Sequence, residues 1–330
     1  MRDLKNKLTS GKNTKNIKSR RGKSFGYQVL GFGSGGAADQ FIVATGGTVT
    51  ESGDYRIHTF NASGTLSVTA AAVDRPTAES SADWLVVGGG AAGGLGTNGN
   101  GGGGAGGYRE SPGASTGSYT VSPIAGGSAV ELSAQDYTIT IGAGGSSPQG
   151  DGNNSSALGI TSNGGGGGGL FNAVGRAGAS GGGGGGRGND SGGAGNTPPT
   201  SPAQGNAGGN SKPQANPIYD SGGGGGGATA VGAAGGNDPN PAGAGGAGAT
   251  SSINGTPTAR AGGGGGSREN FAGGAGGAGG GGAGGTDTAP VGPSVGVAGT
   301  TNTGSGGGAG NNPTAGAGGS GVVIIRYKYK

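Results

Sequence analysis

Alternating apolar and polar positions predict short β-strands in the first third of the chain. Residues 55–60 and 65–69 flank the loop 61–64, and this pattern is typical of a β-hairpin with a four-residue loop. Residues 83–87 form an apolar run that contains the only tryptophan, which indicates a buried strand. These segments predict that a small β-structure forms early in the chain.

Further strands are predicted at 119–121, at 137–141 and at the C-terminus. In 137–141, one tyrosine and two isoleucines share a face and two threonines share the other, which is a half-buried pattern. The last segment, 322–330, places Val323, Ile325, Tyr327 and Tyr329 on one continuous apolar face. We therefore expect the C-terminal strand to pair with the early strands.

Between these strands, glycine replaces any helical or strand periodicity. The chain has 96 glycines among 330 residues, and runs of six glycines occupy 164–169, 181–186 and 222–227. Each glycine inside an α-helix costs about 1 kcal/mol relative to alanine, so helices are disfavoured. So few large apolar residues remain that an ordinary globular core of this length is excluded as well.

Two structures remain open for the glycine tracts: a flexible linker or a bundle of polyglycine II helices. A helix of this type has three residues per turn, rises about 3.1 Å per residue and has no internal hydrogen bonds, so its backbone groups must bond to neighbouring rods. The Gly-Gly-Ala steps in 273–280 place every alanine on one edge, which suits an outer rod. All-glycine rods would lie inside, and polar breaks would gather at the two ends.

The predicted fold class is mainly β and irregular, with a small antiparallel β-base, a bundle of polyglycine II helices and little or no α-helix. Residues 1–40 would form a basic arm and an anchoring strand, and 41–141 a β-rich base with the first glycine tracts. Residues 142–321 would form the polyglycine II bundle, and 322–330 the strand that returns to the base.

The N-terminal arm carries most of the positive charge. Residues 1–24 contain nine lysines and arginines and one aspartate, a charge of +8, and the whole chain is +4, so the remainder is −4. Such an arm can dock into an acidic partner, remain a solvated tail or bind nucleic acid. Nucleic acid is the least favoured partner, because the arm has no aromatic residue to stack on bases. The residues assigned to anchoring are Lys18, Arg20, Arg21, Lys23, Phe25, Tyr27, Val29 and Leu30.

Apparent catalytic and cofactor motifs are explained by composition. Residues 29–36 and 86–93 resemble dinucleotide-binding glycine motifs, but neither opens a helix that could hold a pyrophosphate. The chain has no cysteine, and its single histidine, His58, is expected on a sheet surface. We therefore expect no enzyme activity, no cofactor and no metal site. No apolar run is long enough to span a membrane or to act as a secretory signal, so no membrane insertion is expected.

The loops that interrupt the glycine tracts hold most aromatic and charged residues of the second half. Such side chains on a rigid scaffold are typical of a recognition surface, although they could equally close the ends of the rods. The candidates are Tyr108, Arg109, Phe171, Asn172, Arg176, Arg187, Asn189, Asp190, Tyr219, Asp220, Arg260, Arg268, Asn270 and Phe271.

The order of these elements resembles the glycine-rich domain of bacteriophage tail-fibre and adhesin proteins. The resemblance covers about 55–330 and is carried by the segments 55–69, 83–90, 104–109, 137–145 and 318–327. It implies a virion protein with polyglycine II rods, whose apical loops contact a host receptor in some adhesins.

We therefore expect a tail-fibre or adhesin protein in the virion, assembled in the host cytoplasm. Its N-terminal arm would bind other tail or capsid proteins, its loops could bind a host-cell receptor, and an oligomer in the particle is expected. One alternative is a structural head-decoration, neck or tail component without receptor binding. A second alternative is a non-viral glycine-rich matrix or ice-binding protein.

Overall fold

The computed structural model describes residues 40–113, 119–186, 188–212, 220–237, 239–269, 271–286 and 294–330. The predicted anchoring residues and Arg187, Tyr219 and Asn270 lie outside these ranges. Thirteen strands and one four-residue helix are present in the described part. They are β1 Val43–Thr45, β2 Thr48–Ser52, β3 Tyr55–Phe60, β4 Gly64–Ala70, α1 Thr77–Ser80, β5 Ser81–Val87, β6 Tyr108–Glu110, β7 Val130–Glu131, β8 Asp136–Ile139, β9 Ser155–Ala157, β10 Ile160–Ser162, β11 Ala249–Ser251, β12 Thr258–Arg260 and β13 Val322–Lys328.

Two antiparallel sheets form the β-base. The larger has the order β2-β3-β13-β5-β6, with β7 pairing to the start of β5, and the smaller has the order β1-β4-β8. Strand β13 lies between β3 and β5, so the prediction that the C-terminus pairs with early strands is confirmed. Two hairpins, β9–β10 and β11–β12, interrupt the glycine tracts.

The β-base has a core on each face of the larger sheet. Val323, Ile325 and Tyr327 pack with Trp84 and residues of the smaller sheet. Val322 and Ile324 point to the opposite face, where they meet Leu85, Tyr108 and Ile253. Because β13 and β5 are covered on both faces, nearly every residue of both strands is buried.

The predicted hairpin between 55–60 and 65–69 is wrong, although both strands exist. Strand β3 pairs with β2 and β13, whereas β4 pairs with β1 and β8, so the loop between them crosses from one sheet to the other. Phe60, Leu66 and Val68 meet across the core between the sheets rather than along one sheet.

A second prediction, a strand at 119–121, is also wrong, because these residues are irregular. The half-buried strand at 137–141 is confirmed as β8 and the bridge residue after it.

The expectation that His58 lies on a sheet surface is wrong. Its side chain is buried, and its Nδ1 lies 2.7 Å from the carbonyl oxygen of Gly46. Its Nε2 lies 3.0 Å from the hydroxyl of Tyr327, which stacks on the imidazole ring. When the neutral ring carries its proton on Nδ1, it donates to the Gly46 carbonyl and its Nε2 accepts from the Tyr327 hydroxyl. Burial lowers the pKa of His58 below its ordinary value, against the opposing effect of the Gly46 carbonyl.

This buried histidine should make the protein lose stability in mild acid. The folded-state pKa of His58 lies below its value in the unfolded chain. The contribution of the neutral side chain to the free energy of unfolding is therefore complete above pH ~6.5 and is lost as pH falls through the folded pKa. We expect a decline in the free energy of unfolding of up to about 1.4 kcal/mol per pH unit across that interval. Urea unfolding at pH 7 and pH 5, compared with His58→Gln, measures it. An identical pH dependence in the variant would contradict the assignment.

The glycine tracts form straight rods whose backbone bonds repeat every three residues. In the rod 101–107, the amide groups donate in turn to three different tracts: Gly101 to Gly169, Gly102 to Gly223 and Gly103 to Gly307. The cycle then repeats one turn later, when Gly104 donates to Gly166, Ala105 to Gly226 and Gly106 to Gly304. Three residues per turn without internal hydrogen bonds is the geometry of polyglycine II.

Six rods surround the rod 101–107 in a closed ring. In order around it they are 88–94, 164–169, 181–185, 222–227, 262–267 and 304–310, and each bonds to the central rod and to its two neighbours. The central rod donates to three of them and accepts from the other three. This is hexagonal packing, in which backbone hydrogen bonds hold the interior together. The domain prediction began the bundle at 142, yet the central rod 101–107 and the inner-ring rod 88–94 both precede that residue.

Eleven outer rods surround this ring in the described part of the chain. They are 142–145, 150–154, 173–178, 191–196, 206–210, 230–235, 242–248, 272–278, 281–285, 295–299 and 314–320. A complete second hexagonal ring has twelve positions, and the twelfth would be a corner beside the rod 164–169. There the amides of Gly164 and Gly167 donate to the side chains of Asn154 and Asp151, both at 2.9 Å. Side chains therefore replace backbone at this open corner.

Close packing of backbones explains why the inner rods are glycine. All three six-glycine runs are buried throughout. Gly186, which ends its run, has a left-handed φ of 59°. A Cβ placed on Gly103 would lie 2.2 Å from the carbonyl oxygen of Ala91, so the Cα–H bond points at that oxygen. On the outer rod 272–278, Ala272, Ala275 and Ala278 are exposed while the glycines between them are half-buried or buried, as the Gly-Gly-Ala pattern predicts.

Candidate recognition surface

The rods turn at two ends, and the end opposite the β-base is called the distal end here. The chain leaves β5 after Val87, runs outward to Gly94, turns through 95–100 and returns along 101–107 to Tyr108 at the start of β6. Each later rod repeats this path, so tract breaks gather at the two ends of the bundle. The described residues of the distal turns are 95–100, 146–149, 170–173, 186, 188–191, 211–212, 220–221, 236–237, 239–241, 268–269, 271–273, 286, 294 and 311–314.

Seven of the predicted recognition residues lie in these distal turns: Phe171, Asn172, Asn189, Asp190, Asp220, Arg268 and Phe271. Three others, Tyr108, Arg109 and Arg260, lie at the β-base, and Arg176 lies on an outer rod. The structure therefore brings seven of the eleven described candidates to one end and places the other four elsewhere.

Asn172 and Asn189 are the exposed members of this distal group. Both have a left-handed backbone, with φ of 59° and 57°, which asparagine tolerates better than most residues. Asp190 is half-buried, and its loop is fixed because its amide donates to Ser211 Oγ at 2.7 Å and its carbonyl accepts from the Ser211 amide at 2.9 Å. The half-buried Phe171 packs beside Gly186. Polar side chains are thus presented on a fixed backbone.

Two distal candidates are buried and close the end of the bundle. Arg268 is fully buried, its guanidinium lies 4.1 Å from the ring centre of Phe271, and its Nη1 donates to the carbonyl of Asn240. The backbone of Arg268 also forms a bridge with Ser221, which follows the buried Asp220. Arg268 therefore joins neighbouring turns, and neither of the two buried side chains presents a surface for a partner to contact in this conformation.

A polar cluster that the sequence did not single out fastens the same end. The side-chain amide nitrogen of Asn100, Nδ2, donates to the Gly310 carbonyl at 2.9 Å and to Asn311 Oδ1 at 3.1 Å. Ser267 Oγ donates to Asn311 Oδ1 at 2.6 Å and accepts from the backbone amide of Asn100 at 3.0 Å. All three side chains are buried. They link the central rod to two rods of the inner ring.

The candidates at the β-base are mostly structural as well. Tyr108 and Arg260 are buried beside Glu110, and the half-buried Arg109 donates to the Thr161 carbonyl at 3.0 Å. Burial lowers the pKa of Arg260, an effect that the charges of Tyr108 and Glu110 oppose. Burial, together with the negative charge of Glu110, raises the pKa of Tyr108.

Arg176 is an exposed candidate on the side of the bundle. Its Nη2 lies 2.6 Å from Asp151 Oδ2, across the open corner of the outer ring. Because both side chains are about half exposed, this ion pair contributes little stability. The hydrogen bond from Gly167 to the other oxygen of Asp151 is the stronger reason for an acid at this position.

Comparison with known families matches this architecture to a recognised domain. A family profile described as a glycine-rich domain matches residues 63–328. The chain belongs to the glycine-rich domain family. The match begins just before β4 and ends with β13, so this glycine-rich domain includes both the rod bundle and most of the β-base. No curated protein sequence matches the chain significantly.

Two further observations describe what the glycine-rich domain could hold. Among the described residues, no group of three or more histidine, cysteine, aspartate or glutamate side chains is placed to bind a metal ion. In the same part of the chain, no helix is both long and apolar enough to cross a membrane. What the distal end does offer is exposed amides, a carboxylate and half-buried aromatic rings on a hydrogen-bonded scaffold.

Proposed function

We propose that the protein is a bacteriophage tail-fibre or adhesin protein that displays its distal turns for attachment to the host cell. The observation that carries the proposal is that the rods place seven of the loop candidates at the distal end, whereas the described chain begins at Gln40 in the β-base. Residues 1–40 would then anchor the protein to other virion components from the base side. Binding residues on loops held by a rigid scaffold are a common arrangement in recognition proteins.

A structural virion protein is the second candidate, and a specific observation favours it. Arg268 and Asn100 are buried and join the distal turns to one another, and Asp220 is buried as well. This is what a purely architectural end requires. Under this alternative the exposed asparagines would contact no receptor, and the protein would bind only other capsid or tail chains.

Removing the exposed distal amides distinguishes the two candidates. The Asn172→Gly/Asn189→Gly double variant deletes both side chains while glycine keeps the left-handed backbone without strain. If the distal end binds a receptor, particles should assemble normally and adsorb to host cells at least about tenfold more slowly. The measurements are particle yield and the adsorption rate constant.

Asp74 provides the matched control, because it is exposed, has a φ of 55° and lies in the β-base. Asp74→Gly should change neither assembly nor adsorption. Normal adsorption of the double variant would contradict the adhesin proposal. Loss of assembly by the double variant, with no host binding by the isolated protein, would favour the structural alternative.

A further inference from the structure

Two polar side chains from different distal turns direct their oxygen atoms to one spot beside Gly188. Asn172 lies in the turn 170–173, and Asp190 lies in the turn 188–191. A Cβ atom placed on Gly188 would lie 3.3 Å from Asn172 Oδ1, 3.3 Å from Asp190 Oδ1 and 3.4 Å from Asp190 Oδ2. Apart from Gly188 and its two chain neighbours, these are the three described heavy atoms nearest to that position. We call the three atoms the Gly188 oxygen cluster.

Backbone hydrogen bonds hold the two turns side by side. The Gly185 amide, just before the second turn, donates to the carbonyl of Ala173 in the first turn at 2.9 Å. The backbone of Asp190 is fixed in addition by its amide and carbonyl bonds to Ser211. The two ligand side chains are therefore brought together by the packing of the rods, although they are 18 residues apart in the sequence.

The Gly188 oxygen cluster consists of hydrogen-bond acceptors. Asp190 Oδ2 is shielded from solvent, yet no described residue donates a hydrogen bond to it. A buried polar atom without a partner is costly, and a charged atom is more costly still. Three electronegative atoms that face one another also repel. A ligand that brings positive charge to this spot removes both costs, whereas an anion is repelled.

From this arrangement we infer that the Gly188 oxygen cluster binds a calcium ion. Calcium takes about six to eight oxygen ligands at about 2.3–2.6 Å, and carboxylates and side-chain amide carbonyls are among those it prefers. The Asp190 carboxylate can contribute both oxygens, and the exposed Asn172 side chain can rotate to bring Oδ1 within that distance. Water completes the coordination. The sequence led us to expect no metal site because cysteine is absent and histidine occurs once, but calcium requires neither.

Calcium suits this cluster better than magnesium does. Magnesium demands a near-octahedral set of ligands at about 2.0–2.1 Å, whereas calcium accepts a wider and less regular set. The oxygens here surround a space of about the size of one methyl group and are contributed by two independent turns. Because the cluster has a single carboxylate, we expect a dissociation constant of about 10⁻⁴–10⁻³ M. The inference goes beyond the proposed function, since calcium binding can be measured on the isolated chain without a virion or a host.

Equilibrium dialysis of radioactive calcium against the full chain tests the site. We expect saturable binding of one ion per chain with a dissociation constant of about 10⁻⁴–10⁻³ M, which an equal concentration of Mg²⁺ does not displace. Gly188→Ala places a methyl group at the spot itself and leaves both ligand side chains and their charge in place. Asp190→Asn removes the charge and keeps the shape. Each variant should bind calcium at least about tenfold more weakly.

The matched controls repeat both changes in the β-base. Gly64→Ala adds a methyl group that would lie 3.9 Å from the Phe60 ring. Asp74→Asn removes the same charge from an exposed residue with a φ of 55°, which asparagine tolerates. Both controls should bind calcium as the wild type does, and circular dichroism should show the wild-type fold. Asn172→Gly, which keeps its left-handed backbone without strain, replaces Asp190→Asn if that variant does not fold.

Four outcomes would overturn the inference. They are the absence of saturable binding below about 10 mM calcium, displacement by an equal concentration of Mg²⁺, an unchanged affinity in Gly188→Ala, and equal weakening in Asp74→Asn. The last result would mean that binding follows the net charge of the chain and not the Gly188 oxygen cluster.

Discussion

Gly103→Ala should severely destabilise the protein, although it adds a single methyl group. The new Cβ would lie 2.2 Å from the carbonyl oxygen of Ala91, and a real contact of this kind needs more than 3 Å. That carbonyl cannot retreat freely, because it accepts the Gly307 amide at 2.9 Å. Gly103 itself donates to Gly307 and accepts from Gly264, both at 2.9 Å.

Shifting the central rod would therefore weaken bonds to several neighbours at once. Each buried hydrogen bond contributes about 1 kcal/mol, and a buried group left without a partner costs more. We expect a loss of at least about 4 kcal/mol in the free energy of unfolding, which exceeds the usual cost of a single substitution. Circular dichroism and urea unfolding of the purified chain measure it.

Gly64→Ala is the matched control for this prediction. A Cβ on Gly64 would lie 3.9 Å from the Phe60 ring, an ordinary contact, so the same substitution should change stability by no more than about 0.5 kcal/mol. If Gly103→Ala were equally mild, the central rod could not be packed against six neighbours as described. Amide exchange throughout the rod 101–107 should be fast in Gly103→Ala, which loses the native packing, and slow in the Gly64→Ala control.

The polyglycine II bundle could be predicted from the sequence because its rules are local. Six-glycine runs and Gly-Gly-Ala steps predict which edges of a rod have no side chain and can pack against other rods. Ala272, Ala275 and Ala278 share the one edge that cannot, so they lie on the outside. The C-terminal strand was equally readable, since the alternation in 322–330 leaves one continuous apolar face. What these patterns do not state is which rod lies beside which.

Pairing between distant elements explains the predictions that failed. Alternation predicts that β3 and β4 are strands, but not that they enter different sheets, because that choice depends on β13, more than 250 residues later. Arg268 and Tyr108 seemed exposed because they stand among glycines, where no apolar neighbour suggests burial. In this fold a glycine-rich neighbourhood indicates close packing, so a large residue within it is held by backbone groups and other loop residues.

The junction between the β-base and the bundle depends on one buried acid, Glu110. Its Oε2 accepts from the Tyr108 hydroxyl and from the Ser122 amide, both at 3.0 Å, and its Oε1 accepts from Ser251 Oγ. The buried Arg260 lies in the same cluster, and its positive charge is balanced partly by Glu110. The carboxylate thereby joins β6 to the β11–β12 hairpin.

Glu110→Ala should consequently destabilise the protein by about 3–5 kcal/mol, because it leaves three buried donors without an acceptor and removes the negative charge near a buried guanidinium. Tyr108→Phe, the control, removes one donor and leaves the carboxylate with two, so it should cost about 1 kcal/mol. Urea unfolding of both variants, of Arg260→Met and of Glu110→Ala/Arg260→Met gives the comparison. Removing Glu110 leaves the buried positive charge of Arg260 without its negative partner, and removing Arg260 as well relieves this cost. The double variant should therefore lose about 1–3 kcal/mol less free energy of unfolding than the sum of the two single variants. Strict additivity, or an equal cost for Tyr108→Phe, would mean that apolar packing rather than the carboxylate holds the hairpin to the base.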